Sequence, residues 1–158
     1  MIRNDPEYGK AVQRIMDEEK RIEAHRNALT KEGLTSEQIK RALDPILSFH
    51  FQLKEEVESY ERLKRGDLGE LSNLHGLGIT LIGLRIALGL SQREFAKRLG
   101  VGETQVSRDE RNEYHGITVD RATQILDALG VTMHSRFQEP IPRERAVEDG
   151  SSTEGTVA

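Results

Sequence analysis

The chain contains no cysteine and no tryptophan, and only 4% of its residues are aromatic. The first absence excludes disulfides, thiolate metal sites and a cysteine nucleophile. The scarcity of aromatics disfavours a β-sandwich core or an aromatic ligand cage. No apolar run approaches the ~20 residues that span a bilayer. The longest candidate, Ile79 to Leu90, is broken by Thr80, Gly83, Arg85 and Gly89. The first residues, Met1-Ile2-Arg3-Asn4-Asp5-Pro6-Glu7, are polar and unlike a secretory signal. A soluble cytoplasmic protein with no membrane partner is the expectation.

Catalytic groupings are missing too. The five histidines (His25, His50, His75, His115 and His134) are scattered. No two stand four apart with a carboxylate between them, and no serine has an activating neighbour. The expectation is a protein that is not an enzyme, with no cofactor and no metal. Asp17-Glu18-Glu19, with Glu23 one turn on, reads as a solvated helix face. His50 reads as a packed or pH-sensitive core residue.

What remains is charge and helical periodicity. The 158 residues allow one mid-sized domain or two small ones. Charged residues are 32% and hydrophobic ones 35%, a balance that suits long solvated helices better than a large core. The net charge of -4 argues against a nucleic-acid binder of the bulk-basic kind. The acidity is unevenly placed, however. Residues 71–137 carry eight basic and seven acidic side chains, whereas residues 138–158 carry two and five.

Residues 1–65 predict a charged helical hairpin. Tyr8, Ile15, Ile22 and Leu29 recur every seven residues, a stripe too thin for a helix that stands alone. Gly33 stops this helix, and Thr35 or Ser36 caps the next, with Glu37 in its first turn. Ile39, Leu43, Ile46, His50, Leu53, Val57 and Tyr60 then alternate spacings of four and three, the seam of a coiled-coil-like helix. Pro45 removes a backbone donor and disfavours helix at Asp44, so a bend or break is expected there. The hairpin serves dimerisation or packing, or it is a docking surface for a different protein.

Residues 66–78 hold four glycines in thirteen positions and read as a linker, with one short helical turn over Leu68–Leu74. Residues 79–137 form the second domain. Its first helix runs over Ile79, Ile82 and Ile86 and ends at Gly89. Ser91 with Glu94 forms a capping box for the second, which buries Phe95, Ala96 and Leu99 and ends at Gly100. A third spans about Glu103–Arg111 with Val106 inward. Thr118 caps a fourth, ended by Gly130. Val131 to Phe137 alternates as one short strand would, in need of a partner strand. Residues 138–158 read as a disordered tail.

The run from Gln92 to Arg108 has helix-turn-helix spacing. Ala96 is small where two helices cross, Gly100 permits the sharp turn, and Phe95, Leu99, Val101 and Val106 meet beneath it. This arrangement turns the start of the following helix outward, as major-groove reading requires.

On Leu84-Arg85, Gly89-Leu90-Ser91-Gln92, Phe95-Ala96, Leu99-Gly100-Val101, Val106-Ser107-Arg108, Glu110 and Leu126 to Val131, the chain resembles the Cro/CI-type (XRE) helix-turn-helix regulators. The resemblance covers roughly residues 79–131. It implies an all-α, lambda-repressor-like domain that binds double-stranded DNA as a homodimer on an inverted repeat and represses transcription. It also implies site residues: Gln92 on a phosphate, Glu103, Thr104 and Arg108 facing base edges with Gln105 and Ser107 close by, and Arg111 and Asn112 at the backbone. Arg85 and Glu110 resemble the family's structural ion pair. Glu103 suits DNA only by accepting from a cytosine amino group.

Asp109 departs from this pattern, in which an apolar residue is usual. It is expected to be solvated or paired with a basic side chain, or to loosen the end of the third helix, while Tyr114 packs over the gap. The order of a charged helical region, Leu63-Lys64-Arg65-Gly66-Asp67 and then Leu81 to Gln92 is similar to HigA-like antitoxins. That similarity implies a toxin protein as a second partner.

Overall fold

The structure is a computed structural model that describes residues 1–137; the expected tail at 138–158 lies outside the described residues. Among the described residues six helices follow one another: α1 (Asp5–Lys31), α2 (Ser36–Lys64), α3 (Leu77–Ala87), α4 (Gln92–Leu99), α5 (Glu103–Arg111) and α6 (Val119–Leu129). The fold is all-α, as expected. Val131 to Phe137 is irregular and not a strand. The alternating pattern has no second strand to pair with among the described residues, and a lone strand leaves its backbone groups unpaired.

Both hairpin helices begin at built caps. Asn4 accepts from the Glu7 amide at 2.9 Å, with Pro6 in the first turn of α1. Thr35 and Gln38 form a capping box at the start of α2. The two helices lie side by side through Ala11 and Ile22 of α1 and Leu43, Val57 and Tyr60 of α2. Tyr8 stacks on Tyr60 with ring centroids 5.3 Å apart, and Tyr60 donates to Asp5 at 3.0 Å.

Two expectations for the hairpin fail. The break expected at Pro45 is absent, because α2 runs as one helix through it. Pro45 is exposed, so the acceptor it leaves unpaired faces water, and the seam on either side is buried at Leu43 and His50. Tertiary packing therefore outweighs the local cost of proline. Nor is the acidic cluster simply a solvated face. Glu18 is buried, accepting from Arg14 at 2.7 Å, with its second oxygen 3.6 Å from His50 Nδ1. Glu19 bridges His50 and Lys54 from the other side. The seam positions that lack apolar residues are filled by this polar cluster.

The hydrogen bond from Arg14, helped by His50, holds the Glu18 carboxyl below its ordinary value of 4.5. A carboxyl lowered on folding contributes stability that is present above the unfolded value and lost as pH falls through the folded one. Acidification from about pH 5 to about pH 3 should therefore lower the Tm of the native protein more than that of Glu18→Gln. Parallel thermal melts of the two proteins would show this difference, and equal drops would remove Glu18 from the acid response.

The linker differs from its expected form. No helical turn covers Leu68–Leu74; a turn closes instead where the His75 amide donates to Ser72 O. Asn73 and Leu74 take positive φ there, and α3 starts two residues before Ile79, within the glycine-rich stretch. Leu63 at the end of α2 and Leu68 of the linker pack against Gly83, which carries the hairpin's apolar seam into the second domain.

Candidate nucleic-acid interface

Helix α4 begins at Ser91, whose hydroxyl accepts from the Glu94 amide while Glu94 accepts from the Ser91 amide at 2.8 Å. The Ser91 hydroxyl, which also donates to this carboxylate at 2.7 Å, and then the Ser91 amide hold the Glu94 carboxyl below the usual range. The expected capping box is thus present. α4 ends at Gly100, where φ is +72°, a left-handed turn that a β-carbon resists. The chain then crosses Val101 and Gly102 into α5. Phe95, Ala96 and Val106 are buried under the turn, so the small residue stands where the helices approach most closely.

Val106 and Glu110 form the inward side of α5, four residues apart. That leaves Glu103, Thr104, Gln105 and Arg108 exposed and Ser107 half-buried. Arg111 and Asn112 are exposed at the far end, where the Asn112 amide closes the helix on Arg108 O. Arg93, Lys97 and Arg98 add exposed positive charge on α4, which the motif reading did not single out.

Beneath this surface Arg85 and Glu110 meet in a fully buried, two-pronged ion pair, Nε on Oε1 and Nη2 on Oε2. Two further donors of the guanidinium are also used. Arg85 also donates to Leu90 O at 2.7 Å and, through Nη2, to Arg3 O at 2.8 Å. Gln92 donates from Nε2 to Glu110 Oε2 at 2.7 Å. One carboxylate therefore ties α3, the start of α4 and α5 together. Gln92, the expected phosphate contact, is built into this network, and its Nε2 keeps a second proton for another acceptor. The Arg3 link joins residues 82 positions apart, and no local pattern announces it.

Asp109 is half-buried, 4.0 Å from Arg121 Nη2, and α5 continues past it to Arg111, so the helix end is not loosened. Tyr114 is buried as expected. It and Glu113 both take left-handed φ, +52° and +50°, which folds the loop back onto Gly78. Burial first, then the nearby Glu110 and Asp109 carboxylates, push the Tyr114 hydroxyl well above its usual range. Among the described residues, no three His, Asp or Glu side chains converge as a metal site, and no helix is long and apolar enough to cross a membrane.

Residues 81–134 match the family model described as helix-turn-helix, the model of the Cro/CI type. This stretch is a helix-turn-helix domain. Around the helix-turn-helix, residues 1–80 lie outside the match, and no curated protein and no solved structure matches the chain. The helix-turn-helix supports a DNA-binding protein of the transcription-regulator class. It accounts for the capping box, the turn at Gly100 and the outward side of α5 together.

Proposed function

We propose that the protein is a homodimeric repressor that reads an inverted repeat upstream of its own gene. The observation that carries this reading is the outward side of α5, where Thr104 near its start and Arg108 in its last turn are both exposed. In this reading α5 lies in the major groove. Arg108 and Thr104 reach base edges, Glu103 accepts from a cytosine amino group, and Gln105 and Ser107 support them. Gln92 donates its second proton to a phosphate, and Arg111 and Asn112 touch the backbone, fixing register. No catalytic step, cofactor or metal enters. The nearly balanced charge of residues 71–137 supports dependence on two half-sites, since one weakly basic domain gains little from counterion release.

Footprinting on the upstream DNA tests the reading. The expected result is two protected half-sites with centres ~34 Å apart. A single protected half-site at saturation would refute the dimer. At one fixed salt concentration, Arg108→Ala should weaken specific binding by ~1–3 kcal/mol and leave non-specific binding nearly unchanged. An equal loss on both kinds of DNA would reassign Arg108 to the phosphates.

A second reading concerns the hairpin and has its own support. Phe49 and Phe51 of α2 and Met16 of α1 are exposed outside the helix-turn-helix, a surplus of large apolar side chains that suits partner docking. In this reading the protein is also an antitoxin, whose first two helices bind and neutralise a toxin protein. Co-purification from the native host, followed by identification of the bound chain, tests it. A hairpin that binds no other protein there removes it.

A further inference from the structure

One flank of the hairpin is an open cleft of about 410 Å³. On the α1 side stand Arg14, Arg21 and His25, and on the α2 side Ile46 and Phe49. Phe49 is 70% exposed and Ile46 40%. Glu18 also borders the cleft, but Arg14 already occupies its carboxylate. Arg21 and His25 have no ion-pair partner among the described residues. Lys10 precedes Arg14 by one turn, so Lys10, Arg14, Arg21 and His25, spaced four, seven and four, form a row along one side of α1, in which the single carboxylate, Asp17, accepts from Gln13 at 3.2 Å and leaves the basic side chains in the majority.

The cleft thus has two characters, an apolar floor on α2 and a basic wall on α1. Nucleic acid would use the wall but gain nothing from Phe49 and Ile46. A neutral apolar helix would use the floor and leave the guanidinium of Arg21 facing it. A helix with apolar residues on one side and carboxylates beside them satisfies both, lying along the hairpin as the third member of a bundle. We propose that this flank binds an acidic amphipathic helix of a partner protein. Its apolar side covers Phe49 and Ile46, and its carboxylates pair with Arg21 and Lys10. The proposal rests on the reading of the hairpin as a partner-docking element and names the chemistry of that partner.

The test titrates full-length protein into two labelled synthetic helical peptides with the same leucine seam, one flanked by glutamates and one by lysines. Fluorescence anisotropy should show the glutamate peptide binding at least ~10-fold more tightly than the lysine peptide. Phe49→Ser and Arg21→Glu should each weaken it by a further ~10-fold or more, as expected for a central aromatic anchor and a charge reversal. Both side chains are exposed, so unchanged circular dichroism and unchanged operator binding are expected alongside.

Equal binding of the two peptides, or no loss in Phe49→Ser, overturns the proposal. A fall in the mass of the free protein caused by Phe49→Ser makes a second copy the occupant and also overturns it. So does a ~10-fold gain in peptide affinity on removing residues 138–158, which would make the chain's own acidic segment the ligand. If the native partner binds Phe49→Ser as well as wild type, the hairpin docks its partner elsewhere. That result sinks the acidic helix while the partner-docking reading stands.

Discussion

Replacing Glu110 by leucine should lower the unfolding free energy of the full-length protein by about 3–5 kcal/mol. Glu110 is wholly buried and serves three donors, two from Arg85 and one from Gln92. Leucine leaves the Arg85 guanidinium buried without a counter-charge and the Gln92 amide without its acceptor. The cost is mainly that of stranding a charge and is not a measure of what the pair is worth. The double variant Arg85→Met with Glu110→Leu should therefore recover most of the loss, because two apolar side chains of similar volume replace the pair and leave no buried charge. Urea unfolding monitored by circular dichroism measures both. A double variant no more stable than Glu110→Leu would show that Arg85 matters for its other bonds, to Leu90 O and Arg3 O, more than for its charge.

The second large effect is expected at Gly78. A β-carbon there would meet the Glu113 carbonyl oxygen at 1.9 Å and its carbon at 2.8 Å. Both are backbone atoms, held by a loop whose Glu113 and Tyr114 already take left-handed conformations. Gly78→Ala should cost about 3 kcal/mol, the upper part of the range for overpacking, because the loop has to move. Gly83, in the same helix, offers an internal control. Its added β-carbon would meet only the ends of Leu63 and Leu68, at 2.8 and 2.7 Å. Those side chains can rotate, and alanine gains up to ~1 kcal/mol in helix propensity, so Gly83→Ala should be close to neutral. Urea midpoints at unchanged slope would compare the two. Equal costs would mean that the 113–116 loop yields as easily as a leucine side chain.

Legibility in the sequence followed the range of the interactions. Helix starts at Thr35, Ser91 and Thr118 depend on residues three apart, and all three caps stand where the pattern puts them. The buried residues Phe95, Ala96 and Val106 follow from helix periodicity in the same way. The Arg85–Glu110 pair spans 25 residues and was reached through family resemblance alone. Contacts of longer range had no signature. Glu18 reads as a solvated acid because its partner His50 lies on another helix. Pro45 reads as a break because the packing that carries α2 through it is tertiary. On the candidate interface, spacing turned the start of α5 outward and family resemblance supplied its contact residues, whereas the tie between Gln92 and Glu110 needed both helices in place.

The carbonyl of Arg3 accepts from a buried guanidinium of the DNA-binding domain, and Ile2 joins the same apolar core. The start of the chain is thereby a structural part of a domain that begins some eighty residues later. Hairpin and helix-turn-helix should then melt in a single cooperative transition, not as two beads on a string. A fragment starting at the linker would have to solvate Arg85 and expose core that the intact chain covers. A fragment that keeps the first residues and the hairpin should therefore be more stable than one starting at the linker, and the hairpin is as much foundation as appendage.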